Sequence, residues 1–536
     1  MRKYLLTFLS PLLIGATLAI PHTAQQRKKT SAEEERLELL HADNIRFAQN
    51  EMNAARRLSG HVALKHAGMV MHCDSAVLYE ASQTFDAFGN VHIVQGDTLS
   101  LQGDKLRYNG ISQIAEMRYN VVMKHRGQTL LADSLNYDRL YNTGYYFNGG
   151  TLTENDSKLT SDWGEYHTDT RKALFLYKVQ LTSPKFLLKT DTLHYDTTDK
   201  WAESTGPTNI YSGQDRIYTE HGFYNTETDS VKLLEGSQAF GRDRVMKGDT
   251  IYYNKRTGIM QAFGNVSCED TKNKNILTGD YAWYNELTGE AMATQRALAR
   301  DFSQGKDTLY LHADTLRMHT FHLNTDSVYR MVHGYFHARA FRTDMQAVAD
   351  SLVFSTKARQ LTLYKDPIVW SEQRQIVGEE INLFMNDSTL DSVHVDRQAL
   401  MIEQLDSVHF NQVAGQQMRS YYVGGELVEN QAIGNVMVVN YPLEKDSTIL
   451  YSNYVETAKA RMFMAERKLR KIWAPAAQGC LYPLGMAPME RIRLPGFAWF
   501  DYIRPTSPED VFNWRGKKAG TTLKPSIRRE APLQKL

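Results

Sequence analysis

The sequence predicts an all-β protein built as an elongated array of antiparallel strand repeats. Three observations lead to this fold class: an acidic, aliphatic and aromatic pattern returns at a fixed period, the residues around it alternate as strand residues do, and turn signals follow the copies. The pattern is clearest at Asp133-Ser-Leu135-Asn-Tyr137. Its acidic residue recurs every 29 residues, at Asp104, Asp133, Asp162, Asp191, Glu220 and Asp249.

One copy of the pattern describes a half-buried strand. Side chains two positions apart share a face of a strand, so Asp133, Leu135 and Tyr137 are expected on one face and Ser134 and Asn136 on the other. A small residue precedes the acid in copy after copy, which predicts a bend or a close approach of two backbones there. These small residues are Ala42, Cys73, Gly103, Ala132, Ser161, Thr190, Thr219, Gly248, Gly279, Ala313 and Ala349.

Two kinds of turn signal accompany the copies. Asn254–Gly258 and Asn285–Gly289 follow the aromatic residue and predict a tight reversal into a second, antiparallel strand. Fifteen residues past the acid, Gly89-Asn90-Val91 and Gly264-Asn265-Val266 are interpreted as a second turn that opens a further strand. Each copy therefore holds at least two strands and needs its neighbours to bury its apolar side.

Looser copies extend the array in both directions. Their acids are separated by steps of 30 to 36 residues, and the longer steps indicate longer loops. About twelve repeats of roughly 29–36 residues thus fill residues 41–405. The looser copies begin at Asp43, Asp74, Asp280, Asp314, Asp350 and Glu380.

The regions outside the array differ from it in composition. Residues 1–24 combine two basic residues with an apolar run and predict a removable signal peptide. Residues 25–40 are a charged lead-in segment, which we expect to be a linker or a short helix. Residues 406–514 form a β-rich closing region that ends in a segment rich in glycine, proline and aromatic residues, and residues 515–536 form a basic, loose tail.

Composition and motifs argue against several classes of function. The 536 residues carry 62 basic and 61 acidic side chains, a net charge of +1, so there is no electrostatic case for binding nucleic acid. The three cysteines have neither zinc-site spacing nor the pairing of a disulfide framework. Because no nucleophile with a matching base and no phosphate-binding loop occurs, we expect no enzyme, no catalytic residue, no cofactor and no metal.

The run from Ala87 to Tyr108 resembles the repeat of the OstA-like (organic solvent tolerance, LptA-like) family of lipopolysaccharide-transport periplasmic proteins, in a large, multi-repeat form. The resemblance extends over residues 41–390, and residues 434–436, 481–484 and 495–499 resemble the large members of the family. It implies an antiparallel β-jellyroll, open as a trough, that shields acyl chains and contributes to outer-membrane biogenesis. It also implies a periplasmic location at the inner or outer membrane. The implied partners are lipopolysaccharide or a related glycolipid, other trough-bearing transport proteins joined through edge strands, and an outer-membrane translocon.

The inward aliphatic and aromatic positions of the clearest copies are the candidate lipid-groove residues. The same positions are also explained as ordinary core, and the two interpretations overlap because such a groove is a core left partly unfilled. The acids of the pattern are expected to satisfy turn amides rather than to touch a ligand. The candidates are Leu106, Tyr108, Leu135, Tyr137, Leu193, Tyr195, Ile251 and Tyr253.

Two other functions remain as alternatives to a lipid carrier. A right-handed parallel β-helix that acts on polysaccharide can also have a repeat of about 29 residues, although the turn signals argue against parallel coils. A cell-envelope scaffold or adhesin would recruit partners through its sheet edges.

Overall fold

A computed structural model describes residues 36–524, except 49–54, 242, 303–306, 324, 387–388, 445, 447 and 467. The predicted signal peptide over residues 1–24 and the last part of the basic tail, residues 525–536, lie outside the described residues. The chain divides into two compact units. The first runs to Arg126 and includes Asn136–Leu140, and the second comprises Gly127–Leu135 and continues from Tyr141.

Strands account for most of the described residues. The first unit contains β1 (Glu38–His41), β2 (Asn44–Ala48), β3 (Ala55–His66), β4 (Met69–Tyr79), β5 (Thr84–Gln95), β6 (Leu99–Asn109) and β7 (Ile114–His125), and β8 (Gln128–Asp138) has residues in both units. The second unit continues with β9 (Thr143–Tyr146), β10 (Gly150–Glu154), β11 (Ser157–Ser161), β12 (Trp163–His167), β13 (Lys172–Thr182), β14 (Leu187–Asp196), β15 (Trp201–Ser212), β16 (Asp215–Asn225), β17 (Ser230–Phe240), β18 (Arg244–Asn254), β19 (Ile259–Asp270), β20 (Asn275–Asn285), β21 (Glu290–Thr294) and β22 (Leu298–Asp301). It ends with β23 (Leu309–His312), β24 (Thr315–Phe321), β25 (Tyr329–Arg342), β26 (Met345–Ser355), β27 (Gln360–Tyr364), β28 (Ile368–Ser371), β29 (Arg374–Val377), β30 (Glu380–Met385), β31 (Leu390–Gln404), β32 (Phe410–Val423), β33 (Glu426–Asn440), β34 (Tyr451–Ala465), β35 (Lys468–Trp473) and β36 (Gln478–Pro483). Helical structure among the described residues consists of α1 (Met489–Ile492) and 3₁₀ turns at Glu80–Ser82, Asp501–Ile503 and Glu509–Phe512.

The strands pair antiparallel in both units, which confirms the predicted all-β, antiparallel fold class. In the first unit β3 to β7 form consecutive hairpins, and in the second unit β13 to β20 do the same. One 29-residue repeat therefore corresponds to two long strands and their turns. The parallel β-helix alternative is wrong, because a β-helix pairs its strands in parallel. Glu38–Leu40, assigned from sequence to the charged lead-in, belong to β1, which pairs with β3.

The Gly-Asn motifs lie inside strands, at bulges. In β5, Gly89 and Asn90 have positive φ angles of 73° and 45°, and the register with β6 shifts between Phe88 and Val91. Tyr119-Asn120 in β7 and Gly264-Asn265 in β19 have the same backbone. The interpretation of this motif as a turn that opens a further strand is therefore wrong. Two successive residues with positive φ bend the strand at the bulge, and its pairing with the neighbouring strand resumes after the bulge.

The bulges also change which residues face inward. Simple alternation placed the acid of the pattern on the same face as its leucine and tyrosine. In β6, however, Gly103 is buried, Asp104 is exposed and Leu106 is buried, and in β8 Asp133 is exposed while Leu135 is buried. The prediction was wrong for the acid because each bulge shifts the neighbouring strand's alternation by one residue.

The strands fold over at the bulges and bring their opposite ends together. In the first unit, Tyr108 lies near the end of β6 and His66 at the end of β3, and antiparallel pairing places these positions at opposite ends of the strands. In a flat sheet they would be separated by about 14 Å across three strand spacings and by roughly 35 Å along the strand. Instead His66 Nδ1 and Tyr108 Oη are 2.7 Å apart in a hydrogen bond. The sheet of this unit is therefore folded upon itself, as in a jellyroll.

Most of the small residues before the acids are buried, and two of them show the predicted close approach, whereas Ala42 and Ala132 are only half-buried. A Cβ added to Gly103 would lie 2.9 Å from Met117 Cε, and one added to Gly279 would lie 3.0 Å from the carbonyl oxygen of Thr294. Where the position carries a hydroxyl, that group is used locally: Thr190 Oγ1 is 2.9 Å from Thr208 Oγ1. Larger side chains have no room at the crease of the folded strand.

Candidate functional site

The candidate groove residues lie on the inner face, by which we mean the face of the folded sheet that carries the buried side chains. Leu106, Leu135 and Leu193 are fully buried. Tyr108, Tyr137 and Ile251 are also buried, whereas Tyr195 and Tyr253 are half-buried near the strand ends. The structure thus places all eight residues in equivalent inward positions, two per repeat in four repeats.

Alanine residues lie opposite two of the inner tyrosines, Tyr195 and Tyr108. Tyr195 lies opposite Ala173 on β13 and Ala202 on β15, and Tyr108 lies opposite Ala115 on β7. Directly opposed side chains in antiparallel strands share a face, so the alanines leave space for the rings. The result is an inner face of aliphatic and aromatic carbon repeated at two-strand intervals.

A row of polar contacts, which we call the seam, joins opposite strand ends across the inner face. In the first unit the seam consists of two contacts. One is the hydrogen bond between His66 and Tyr108, and in the other the hydroxyl of Tyr137 donates to Gln95 Oε1 at 3.2 Å. In the second unit the partners are 40 to 46 residues apart, about one and a half repeats. These contacts are Tyr195 to Glu154 (3.2 Å), Lys200 to Glu154 (2.6 Å), Lys185 to Asp229 (2.7 Å), Lys255 to Ser212 (3.4 Å) and Arg244 to Tyr284 (2.6 Å).

Burial keeps two tyrosines of the seam, Tyr108 and Tyr195, neutral. It raises the pKa of Tyr195 to about 12 and raises that of Tyr108 as well. A neutral hydroxyl donates one hydrogen bond, and each such bond contributes about 1 kcal/mol. Beside them, Asp229 remains ionised: burial acts to raise its pKa, but hydrogen bonds from Lys185 and Tyr224 outweigh that effect and lower it. The seam is therefore a line of separate, individually weak polar contacts along an apolar face.

The acids of the repeat pattern stabilise the bulges from the outside. Asn90 donates from Nδ2 to Asp74 Oδ2 at 2.9 Å, and Asn265 donates in the same way to Asp249 Oδ2 at 2.9 Å. We expected these acids to accept hydrogen bonds from turn amides. The structure instead shows each of these two carboxylates in contact with the side chain of a bulge residue 16 positions later. In other copies a cation takes the place of the asparagine, as Lys178 does 2.9 Å from Asp162.

A second functional element was not found from the sequence: the segment Pro488–Lys517, which we call the strap. It contains no strand, only α1 and two 3₁₀ turns. Leu494, Phe500 and Ile503 are at most 3% exposed and belong to one apolar cluster with residues of the sheet. The sheet residues of this cluster lie on β26, β28, β29 and β31 to β34 or directly after β33: Val348, Ile368, Trp370, Val377, Leu400, Ile402, Phe410, Ala414, Val439, Tyr441 and Tyr454.

Buried glutamines hold the backbone of the strap. Gln412 Nε2 donates to the carbonyl of Ile492 at 2.8 Å, and its Oε1 accepts from the amide of Leu494 at 2.9 Å. Gln375 repeats this two-point pairing with the carbonyl of Ala498 at 2.8 Å and the amide of Phe500 at 2.7 Å. Both glutamines are 0% exposed. Each side-chain amide therefore offers the strap one donor and one acceptor, as a neighbouring strand would.

The end of the strap is fixed by charges. Arg339 is buried, donates from Nη1 to the carbonyl of Asp510 at 3.0 Å and lies 5.0 Å from the ring centre of Trp514. Burial lowers the pKa of Arg339 to about 10. Asp510 has a pKa of about 2: its burial acts to raise the value, but hydrogen bonds from Arg515 and other strap groups outweigh that effect.

A further ion pair holds the start of the predicted loose tail. Lys517 Nζ lies 2.6 Å from Asp366 Oδ1, and Gln398 donates to the carbonyl of Lys524 at 2.8 Å. The first residues of the tail, 515–524, are therefore in contact with the sheet.

Two further properties of the described residues concern metal ions and membranes. No group of three or more histidine, cysteine, aspartate or glutamate side chains in that part of the chain could hold a metal ion. Among its helices none has both the length and the apolar character needed to cross a membrane.

Comparison with known proteins supports the family resemblance over the first part of the chain. Residues 34–191 match the family model described as OstA-like protein. A solved structure, that of LptH from Pseudomonas aeruginosa, described as the LptA homologous periplasmic component of the conserved lipopolysaccharide transport device, matches with 17% sequence identity and a TM-score of 0.19. This match covers 20% of the chain and 82% of LptH. The search of curated proteins gave no match.

Proposed function

We propose that this protein is a non-enzymatic carrier of lipopolysaccharide or a related glycolipid, which shields the acyl chains on its inner face in the periplasm and contributes to outer-membrane assembly. The observation that carries the proposal is the inner face itself, where the same inward positions repeat as Leu106 with Tyr108, Leu193 with Tyr195 and Ile251 with Tyr253. The match of residues 34–191 to the OstA-like family supports it. Its proposed partners are other trough-bearing transport proteins, joined through edge strands, and an outer-membrane translocon.

The energetics favour entry of acyl chains along the seam. Each methylene transferred from water to an apolar surface contributes about 0.8 kcal/mol, so roughly ten buried methylenes contribute about 8 kcal/mol. Opening the seam next to one chain breaks two or three hydrogen bonds, each worth about 1 kcal/mol. When the seam opens, inner side chains separate from one another but come into contact with the acyl chains. These side chains therefore stay largely buried. A seam of separate weak contacts can therefore open locally for lipid.

Site-specific photocrosslinking tests this function with a control on the adjacent residue. Leu193 is 0% exposed and faces inward, whereas the next residue, His194, is exposed on the outer face. A crosslinker at position 193 is expected to capture glycolipid in cells, and the same group at position 194 is expected to capture little. Replacing Leu193 and Tyr195 together by aspartate should abolish the capture by a crosslinker at a neighbouring inner position while leaving export intact. Equal lipid capture at 193 and 194 would contradict the proposal, and capture of a defined protein without lipid would favour the scaffold alternative.

A further inference from the structure

The strap covers a part of the inner face that has the same apolar character as the repeats. Under it, Gln346, Trp370, Gln375, Ile402 and Gln412 follow one another in register across β26, β28, β29, β31 and β32. Directly opposed residues share a face, so these five side chains form one row across the sheet. A glutamine stands on every second strand of the row, at intervals of about 10 Å.

The row is built to bind a polypeptide backbone. Gln412 and Gln375 each make a two-point pairing with the strap, and Gln346 Oε1 accepts from Arg504 Nε at 2.8 Å. The strap runs against the chain order of the sheet: residues 492–494 meet Gln412, residues 498–500 meet Gln375, and residue 504 meets Gln346. Without the strap, Gln375 would lose both of its partners, and the Oε1 atoms of Gln412 and Gln346 would lose theirs. These polar atoms make an otherwise apolar face selective for a polypeptide segment.

The strap also has the features of a separable ligand. Its inward residues are buried and its outward residues are exposed: Ile503 is 1% exposed, whereas the preceding residue, Tyr502, is 40% exposed. The segment that joins it to β36 is exposed: Leu484 and Met486 are 41% and 74% exposed, and a Cβ added to Gly485 would meet nothing within 4 Å. The strap is therefore attached to the sheet through its inward side chains and the glutamine row.

From these observations we infer that the inner face of β26–β32 is a peptide-binding site that the chain's own strap occupies, and that glycolipid gains access to this part of the inner face only by displacing the strap. The second half of this inference rests on the proposed function. The strap acts as a built-in competitor of cargo, and the two cannot be bound at once because both would bury their apolar groups against the cluster that contains Trp370 and Ile402.

The test separates the strap from the sheet in the full-length protein. A protease site inserted between Gly485 and Met486 allows cleavage after folding. The cleaved strap is expected to remain bound through gel filtration, and purified lipopolysaccharide is expected to release it in a concentration-dependent way. With Phe500→Asp and Ile503→Asp combined, dissociation after cleavage should be faster on the order of 100-fold even without lipid. The matched control is Tyr502→Asp, an outward position of the same turn, which should leave the strap bound.

The outcomes distinguish the two halves of the inference. Loss of the unsubstituted strap immediately on cleavage, or equal release by the inward and outward substitutions, would overturn the peptide-binding site. A bound strap that lipopolysaccharide does not release would overturn the competition with cargo. In that case, crosslinking at position 193 tests the proposed function separately. Lipid capture there would support the carrier function while the competition between strap and lipid is rejected, and no capture would reject both the carrier function and the competition.

Discussion

Substituting the first glycine of a bulge measures how strongly the repeated acid stabilises the folded strand. Gly264 has a φ of +69°, and an added Cβ would lie 2.3 Å from Asp249 Oδ2. Gly236 occupies the second position of the bulge in β17 with a φ of +68°, but an added Cβ there would meet nothing within 4 Å. The two glycines therefore share the backbone requirement and differ in the contact with the acid.

The expected magnitudes follow from this difference. Placing alanine in the left-handed region costs about 1 kcal/mol at either position. At Gly264 the new Cβ also displaces the carboxylate of Asp249, which then loses its hydrogen bond to Asn265, a further loss of about 1 kcal/mol. We expect Gly264→Ala to lower the local stability of β18–β19 by about 2 kcal/mol, and Gly236→Ala to lower that of β16–β17 by about 1 kcal/mol.

Hydrogen exchange is the suitable assay, because repeat arrays open locally and a single unfolding midpoint does not resolve one hairpin. The double variant Gly264→Ala with Asp249→Ala removes the steric conflict. In that background the glycine substitution should again lower stability by only about 1 kcal/mol. Equal effects of Gly264→Ala and Gly236→Ala, or no relief in the Asp249→Ala background, would refute the assignment of the acid to the bulge.

Two further predictions concern the seam and the strap. Tyr195→Phe removes the hydroxyl that donates to Glu154 and should lower the exchange protection of β14 by about 1 kcal/mol; unchanged protection would show that the seam contact does not hold the strand ends. Burial acts to raise the pKa of Asp510, but hydrogen bonds from Arg515 and other strap groups lower it to about 2. The charge therefore stabilises the fold of the strap's own end above the ordinary pKa of about 3.9, and this stabilisation is lost as the pH falls towards 2. Hydrogen-exchange protection of residues 506–515, taken relative to the intrinsic exchange rate at each pH, should decrease between pH 5 and 2.5 in the unsubstituted protein and depend less on pH in Asp510→Asn; an equal pH dependence in both would argue against the pairing of Asp510 with Arg515.

The repeat period and the hairpins could be predicted because they depend on residues close together in sequence. Asn254–Gly258 and Asn285–Gly289 form the expected reversals between β18 and β19 and between β20 and β21. The bulge could not be recognised, because Gly-Asn is also the preferred pair of a tight hairpin turn and only the pairing partner distinguishes the two. The prediction that the acids share the inward face of the leucine and the tyrosine was wrong for the same reason.

The strap could not be predicted from the sequence because its contacts join residues that are far apart along the chain. Gln412 and Leu494 are 82 residues apart, and Gln375 and Phe500 are 125 residues apart. A glutamine within strand-like sequence gives no sign that it is buried or that it binds a backbone. Aromatic and proline residues near the end of the closing region did indicate a change of structure, but their inward and outward positions follow no helix or strand period.

The order of the strap and the sheet along the chain has a consequence for biosynthesis. Strands β26–β34 are translated before the segment that covers them, and until then their row of tryptophan, isoleucine and glutamine side chains faces solvent. A folding factor that protects nascent apolar surface would be required longest for this region. A ribosome-stalled or truncated product ending before Pro488 should therefore be more prone to aggregation and degradation than one ending after Lys517.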